Sequence, residues 1–164
     1  MIARYQVLSR RIELELEELE RTQAAAQRHW QTARTTTIDQ DAYLNSVALN
    51  LHSFYSGLER IFELLAQELD GGVVGGDAWH TELLRQMALD VPDLRPPAIQ
   101  AATADQLDEY RKFRHRIRNI YTTNLDPERM AHLVLHLPVL WPQIRSELEL
   151  FAQFLHGLAS ADSE

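Results

Sequence analysis

The sequence predicts an all-α protein, an up-and-down bundle of four to six helices, and three observations predict it. Leu44, Val47, Leu51, Phe54, Leu58, Ile61, Leu65 and Leu69 recur at steps of three and four, the apolar stripe of a long helix with one face in a core. Stretches of the same period are separated by glycines and prolines, which end helices through positive backbone angles or a missing donor. No segment alternates as a half-buried strand does, and no internal repeat is present, which leaves helix-on-helix packing as the architecture.

The first helix is expected from Ile2 to about Arg34, where Ile12, Leu16 and Leu19 share one face and Glu13, Glu17 and Glu20 another. Thr35-Thr36-Thr37 breaks that pattern, and Asp39 is the expected N-cap of the long second helix beginning near Gln40. Asp70-Gly71-Gly72 and Gly75-Gly76 close it and predict a mobile loop. Asp77 is the expected cap of a short third helix reaching about Leu89. Pro92, Pro96 and Pro97 then make residues 91 to 102 a connection. Thr103 with Gln106 three residues on reads as a capping box opening a fourth helix through Tyr121. Asp126-Pro127 pairs an N-cap with proline at the first helical position and opens a fifth segment. Pro138 and Pro142 are expected to kink or split that segment before the period resumes at Ile144, Leu148, Phe151 and Leu155. Ser160 to Glu164 are expected to fray.

With 164 residues, 45% of them hydrophobic and 24% charged, the chain matches ordinary globular usage and one helical domain over 1–164 is expected, residues 1–38 forming its N-terminal helix. The absence of cysteine excludes disulfides, thiolate metal sites and a cysteine nucleophile. The N-terminus lacks the apolar core of a signal peptide, and no apolar run suffices to span a bilayer, so a cytoplasmic location is expected. A formal charge of −8 from 16 Lys and Arg against 24 Asp and Glu disfavours general nucleic-acid affinity and directs attention to local basic clusters.

One such cluster stands out. At about 100° per residue, Arg111, Arg114, His115 and Arg118 fall in one sector of the fourth helix with Tyr121 at its edge, beside an apolar stripe of Tyr110, Phe113, Ile117 and Ile120. Like charges at four-residue spacing repel by a few tenths of a kcal/mol, so something anionic should offset them. Asp105, Asp108, Glu109 or glutamates of other helices would serve as ordinary ion pairs.

The run Tyr110-Arg-Lys-Phe-Arg-His-Arg-Ile-Arg-Asn-Ile-Tyr121, followed by Leu125-Asp126, resembles the signature of HepT-like toxins of the HEPN superfamily, in which Arg and a polar residue precede a His and then a Tyr. Tyr55 and Glu59 resemble a Tyr and Glu of the family's second helix, and Trp79-His80 the Trp-His pair opening its third. The resemblance spans roughly residues 40 to 155. It implies a HEPN-like bundle forming a homodimer, with two signature helices facing each other across a cleft, and cleavage of RNA, tRNA among the candidates, without metal or cofactor. Arg114 would hold the scissile phosphate through its guanidinium fork, and Arg111 and Arg118 would follow the RNA backbone. Tyr121 matches the tyrosine that a partner nucleotidyltransferase of the MNT type, the antitoxin, modifies with AMP, placing phosphates beside the arginines. Tyr55, Glu59 and His80 would support the site.

The motif is not complete. Four residues past Arg114 stands Asn119, where the family more often has His. Two readings follow: His115, one turn earlier on nearly the same face, serves as base with Asn119 orienting substrate, or the site binds RNA and cuts poorly. A non-catalytic helical partner of a nucleotidyltransferase is thus a second class of function. Asn45, His52 and Glu59, spaced by seven, form a polar line that fits either the cleft or a solvated edge. Trp79 reads more as a core anchor than a stacking platform, and a half-buried phenol is the ordinary reading of Tyr121. His132 and His136, one turn apart, could chelate zinc and speak for a metal-dependent hydrolase, but no acidic companion stands at motif spacing.

Overall fold

A computed structural model describes residues 2–119 and 124–161 as five helices: α1 (Ile2–Thr35), α2 (Gln40–Leu69), α3 (Trp79–Met87), α4 (Ala101–Ile117) and α5 (Pro127–Ala161). No strand occurs among the described residues; the one β-type pairing is the isolated bridge between Val91 and Arg95. Ile120 to Thr123, with Tyr121, and Asp162 to Glu164 lie outside the described residues.

The three long helices form the framework, α1 lying along both α2 and α5. Leu8, Ile12, Leu16 and Leu19 of α1 meet Val47, Leu51, Phe54, Leu58 and Leu65 of α2 in the core, the face that the three-and-four spacing marks out. Antiparallel α1–α2 register is visible in Arg60 Nη2 donating to Glu15 Oε1 at 2.8 Å and in the His29 Nδ1 contact with Ser46 Oγ at 2.5 Å. Gly57 lets these helices approach: a Cβ there would lie 2.7 Å from Leu19 Cδ2 and 3.0 Å from Glu15 Oε1. Gly57→Ala is therefore expected to lower stability by about 1–3 kcal/mol in urea titrations, outweighing the ~1 kcal/mol that alanine gains in helix propensity.

α4 packs on α2, α3 and α5, with Leu107 and Tyr110 buried and Phe113 and Ile117 half-buried against the core. The Tyr110 hydroxyl donates to the Leu133 carbonyl at 2.7 Å, and its ring packs 5.8 Å from that of Phe54. Toward the C-terminal end of α4, Arg114 is turned to Glu59 of α2, while His115, Arg116 and Arg118 are exposed.

One expectation about helix boundaries holds in position only, and three are corrected. Asp39 holds the N-cap position of α2 but in the left-handed conformation (φ 55°), with no side-chain capping bond. Ala78, not Asp77, is the N-cap of α3. The Thr103–Gln106 capping box does not form, because α4 begins at Ala101 and buries Thr103 inside its first turn. Glu147 of α5 caps α4 instead, accepting from the Gln100 backbone N–H at 3.3 Å and the Thr103 hydroxyl at 2.8 Å; a carboxylate at this end also suits the helix dipole. Finally, α5 continues unbroken through Pro138 and Pro142. Both rings lie on its exposed side while Leu137, Leu140, Trp141 and Ile144 are buried, so carbonyls that lose their helical donors can meet water, and core packing holds the axis together.

The Asp126-Pro127 start is as expected, with Asp126 Oδ1 accepting from the Glu128 N–H at 3.0 Å. At the end of α2, Gly71 and Gly72 take φ of 81° and 132°, and the Gly72 N–H returns to the Ala66 carbonyl at 2.9 Å, the wrap that a glycine-terminated helix adopts.

Candidate functional site

The site forms where the middle of α2, the first turn of α3 and the last turns of α4 converge, and a single carboxylate joins them. Glu59 is 3% exposed. Its Oε1 accepts from Arg114 Nη1 of α4, and its Oε2 lies 2.7 Å from His80 Nδ1 of α3. A buried carboxylate needs such partners, because unpaired it would cost several kcal/mol. Glu59 thus fixes an arginine and an imidazole from two other helices.

His80 is held twice. Its ring also stacks on Trp79, with centroids 3.6 Å apart and planes 28° from parallel, so Trp79 is both packed against the core and a platform for the imidazole. Arg114 is largely covered, and its Nε is buried without a partner. That guanidinium retains donors beyond the one given to Glu59.

Arg114, Arg111, His115, Arg118 and His80 line one small cavity of about 30 Å³, which brings together the sector expected from helical spacing and adds His80. Beside it runs a groove of about 640 Å³ lined by Gly76 to Thr81, Arg111, His115, Arg118 and Asn119. A larger cleft of about 730 Å³ lies between α4 and α5, with Arg111 and His115 again on its wall. Its lining mixes Lys112, Arg116 and Arg129 with Glu109, Asp126 and Glu128, which makes it a weaker anion receptor than the groove, where Asp77 is the one acidic residue in the lining.

The arginines differ in how they are balanced. Arg111 Nε donates to Asp108 Oδ1 at 2.6 Å, and Arg114 pairs with Glu59, so two positive charges are offset within the fold as ordinary pairing would have it. Arg118, exposed at the C-cap of α4, has no carboxylate partner among the described residues. Burial acts against the Asp108 charge, but hydrogen bonds and charge from Arg111 and Lys112 hold its carboxyl below the usual range.

Tyr55 is fully buried. Burial first, then the charge of Glu59, push its phenol well above its ordinary range, so it stays protonated. His52 is half-buried; burial first and then the charges of Arg114 and Arg118 lower its pKa, keeping it neutral. Of the seven-residue line on α2, Glu59 and His52 thus bear on the arginines, while Asn45 is exposed. Asn119 lines the groove, and its Nδ2 donates to the His115 carbonyl at 2.9 Å, closing the end of α4. Tyr121 lies outside the described residues.

A family model described as HepT-like protein matches residues 46–155, well over half the chain. The chain belongs to the HepT-like family. This HepT-like protein is therefore HEPN-related, and its family setting is that of toxin–antitoxin pairs. The matched span holds α3, α4 and most of α2 and α5 and leaves out all of α1. No curated protein and no solved structure matches it.

Other features of this HepT-like chain fall outside the site. His136 Nε2 lies 3.1 Å from Gln106 Oε1, which occupies one of the two histidines weighed as a zinc pair. No group of three or more His, Asp or Glu able to hold a metal occurs among the described residues, so that pair gains no third ligand. No described helix is long and apolar enough to cross a membrane.

Sequence reading missed how Glu59 and His80 are connected. Both were singled out as support, but 21 residues separate them and no local spacing couples them. It also missed a buried clamp between Asp70 and Arg95, two residues that read respectively as a helix end and as part of a proline-rich connection.

Proposed function

We propose that this HepT-like protein is the toxin component of a toxin–antitoxin pair and cleaves RNA without a metal, working as a cytoplasmic homodimer in which two copies of the α4 face form one cleft. The observation that carries the reading is the convergence of Arg114, Arg111, Arg118 and His115 on one cavity, with Arg114 held by a buried carboxylate. A fixed guanidinium with donors to spare grips a phosphodiester in a planar fork and stabilises the charge that grows on its oxygens during attack. Arg118, which has no carboxylate partner among the described residues, and Arg111 extend the contact along the backbone.

His115 takes the proton of the attacking 2′-hydroxyl, the task of imidazole near neutral pH. Asn119, tied to the end of α4 by its Nδ2, turns its remaining acceptor to substrate. A partner MNT-type nucleotidyltransferase neutralises the toxin by transferring AMP to Tyr121, since phosphates added there compete with RNA for the arginines. Replacing His115 with Ala is expected to abolish cleavage while the oligomeric state is retained, read by gel assay and by light scattering. Unaltered cleavage would remove His115 from the reaction.

One observation favours a second reading, a binding module without catalysis: the position four past Arg114 carries an asparagine that acts as a helix-end cap. Incubation of the purified protein with total tRNA, with and without EDTA, separates the possibilities. Chelator-resistant cleavage is expected; chelator-sensitive cleavage would indicate a metalloenzyme, and no cleavage the binding module.

A further inference from the structure

We infer that His80 is the general acid of the cleavage reaction, held for that task by Glu59; the inference rests on the ribonuclease reading above. Transesterification of RNA moves two protons. The 2′-oxygen loses one as it bonds to phosphorus, and the 5′-oxygen gains one as its bond to phosphorus breaks, giving a 2′,3′-cyclic phosphate and a 5′-hydroxyl. His115 accounts for the first proton only.

The groups around the cavity leave few donors for the second. Arginine binds phosphate as a cation and is no proton donor in such a reaction, which sets aside Arg111, Arg114 and Arg118. Tyr55 is buried beneath them with its phenol pushed up. His52 is kept neutral by its burial and by Arg114 and Arg118, so it carries no spare proton. His80 lines the same cavity as Arg114 and His115 and also the adjoining groove.

Its geometry is that of a working imidazole. Glu59 Oε2 accepts from Nδ1 at 2.7 Å, which assigns that nitrogen to the carboxylate and leaves Nε2 to exchange a proton with a ligand, the arrangement by which a buried carboxylate orients a catalytic histidine. The stack on Trp79 fixes the ring plane. With 31% of the side chain exposed, the ring can be reached. Because the same Glu59 also holds Arg114, the phosphate-binding fork and the proton donor are set by one group. Protonated His80 gives its Nε2 proton to the departing 5′-oxygen, and His115 takes the proton of the 2′-oxygen, so charge and atoms balance within the site.

The test compares two RNA substrates, one with an ordinary linkage and one with sulfur in place of the bridging 5′-oxygen, which departs without being protonated. His80→Gln keeps an amide N–H for Glu59. It is expected to lose about 10²–10⁴-fold on the ordinary linkage and to cleave the sulfur linkage within about tenfold of the unsubstituted protein, while His115→Gln loses activity on both. Recovery on the sulfur linkage also shows the variant to be folded; His80→Asn, checked by circular dichroism, is the second variant. Equal loss on both substrates by a folded variant, or no loss on either, overturns the role of His80. Failure of the unsubstituted protein to cut either substrate overturns the ribonuclease reading itself.

Discussion

Arg114→Ala is expected to lower kcat/KM for RNA cleavage by about 10³-fold or more, the scale on which removal of an arginine or another preorganised donor from a charged transition state is felt. Part of that loss is structural. Glu59, 3% exposed, would keep His80 alone as partner among the described residues, and a buried carboxylate stripped of its cation costs about 3–5 kcal/mol. Arg114→Lys separates the two effects, because it leaves a positive charge for Glu59 but abolishes the fork. It is expected to fold with near-native stability and still lose about 10²-fold in kcat/KM. Cleavage by a folded Arg114→Lys protein at the unsubstituted rate would take the guanidinium out of the reaction.

The largest expected effect on stability lies away from the site. Arg95, with 1% of its side chain exposed, donates from Nε and Nη2 to the two oxygens of Asp70 at 2.6 and 2.7 Å, and also to the carbonyls of Gln86, Leu89 and Pro96. Gln86 adds a bond to Asp70 at 2.7 Å. The end of α2, the end of α3 and the connection to α4 are thus joined by one guanidinium. Arg95→Met is expected to destabilise the fold by about 3–5 kcal/mol in urea titrations, because it strands the Asp70 carboxylate, a large share of the 5–15 kcal/mol or so that a domain commands. Pairing it with Asp70→Asn should recover part of that loss; no recovery would mean that the arginine acts through its carbonyl bonds and packing and not through the ion pair.

The same clamp makes a pH prediction. Burial acts against the Asp70 charge, yet the hydrogen bonds from Arg95 and Gln86 and the charge of Arg95 win, so its carboxyl lies below the ordinary carboxylate range. A group whose folded pKa is depressed contributes stability that is present in full above its unfolded pKa of about 3.9 and is lost as pH falls through the folded value. Unfolding free energy should therefore fall below about pH 4, and Asp70→Asn should flatten that fall.

How much was legible in advance differs by residue. The five helices and the core stripe of α2 follow from spacing, since an apolar face at 3.6-residue period leaves a helix few other ways to be buried. Arg111, Arg114, His115 and Arg118 share a face for the same reason. The helix caps were misread at Asp77 and Thr103, because a capping residue is chosen by whichever acceptor reaches the free N–H groups, and at α4 that acceptor comes from Glu147, 44 residues away from Thr103. Pro138 and Pro142 were misread as breaks because neighbours on the buried side of α5 hold its axis.

The sequence by itself therefore determined the helices, their buried faces and a basic stripe on the fourth, all of which depend on contacts within a few residues. The tertiary structure decided which charges in that stripe are answered and by what. Glu59 reaches Arg114 across 55 positions and His80 across 21, and Asp70 reaches Arg95 across 25. Those pairings exist because burial leaves a carboxylate no water to turn to, and only the packing of α2, α3 and α4 determines which cation stands within reach.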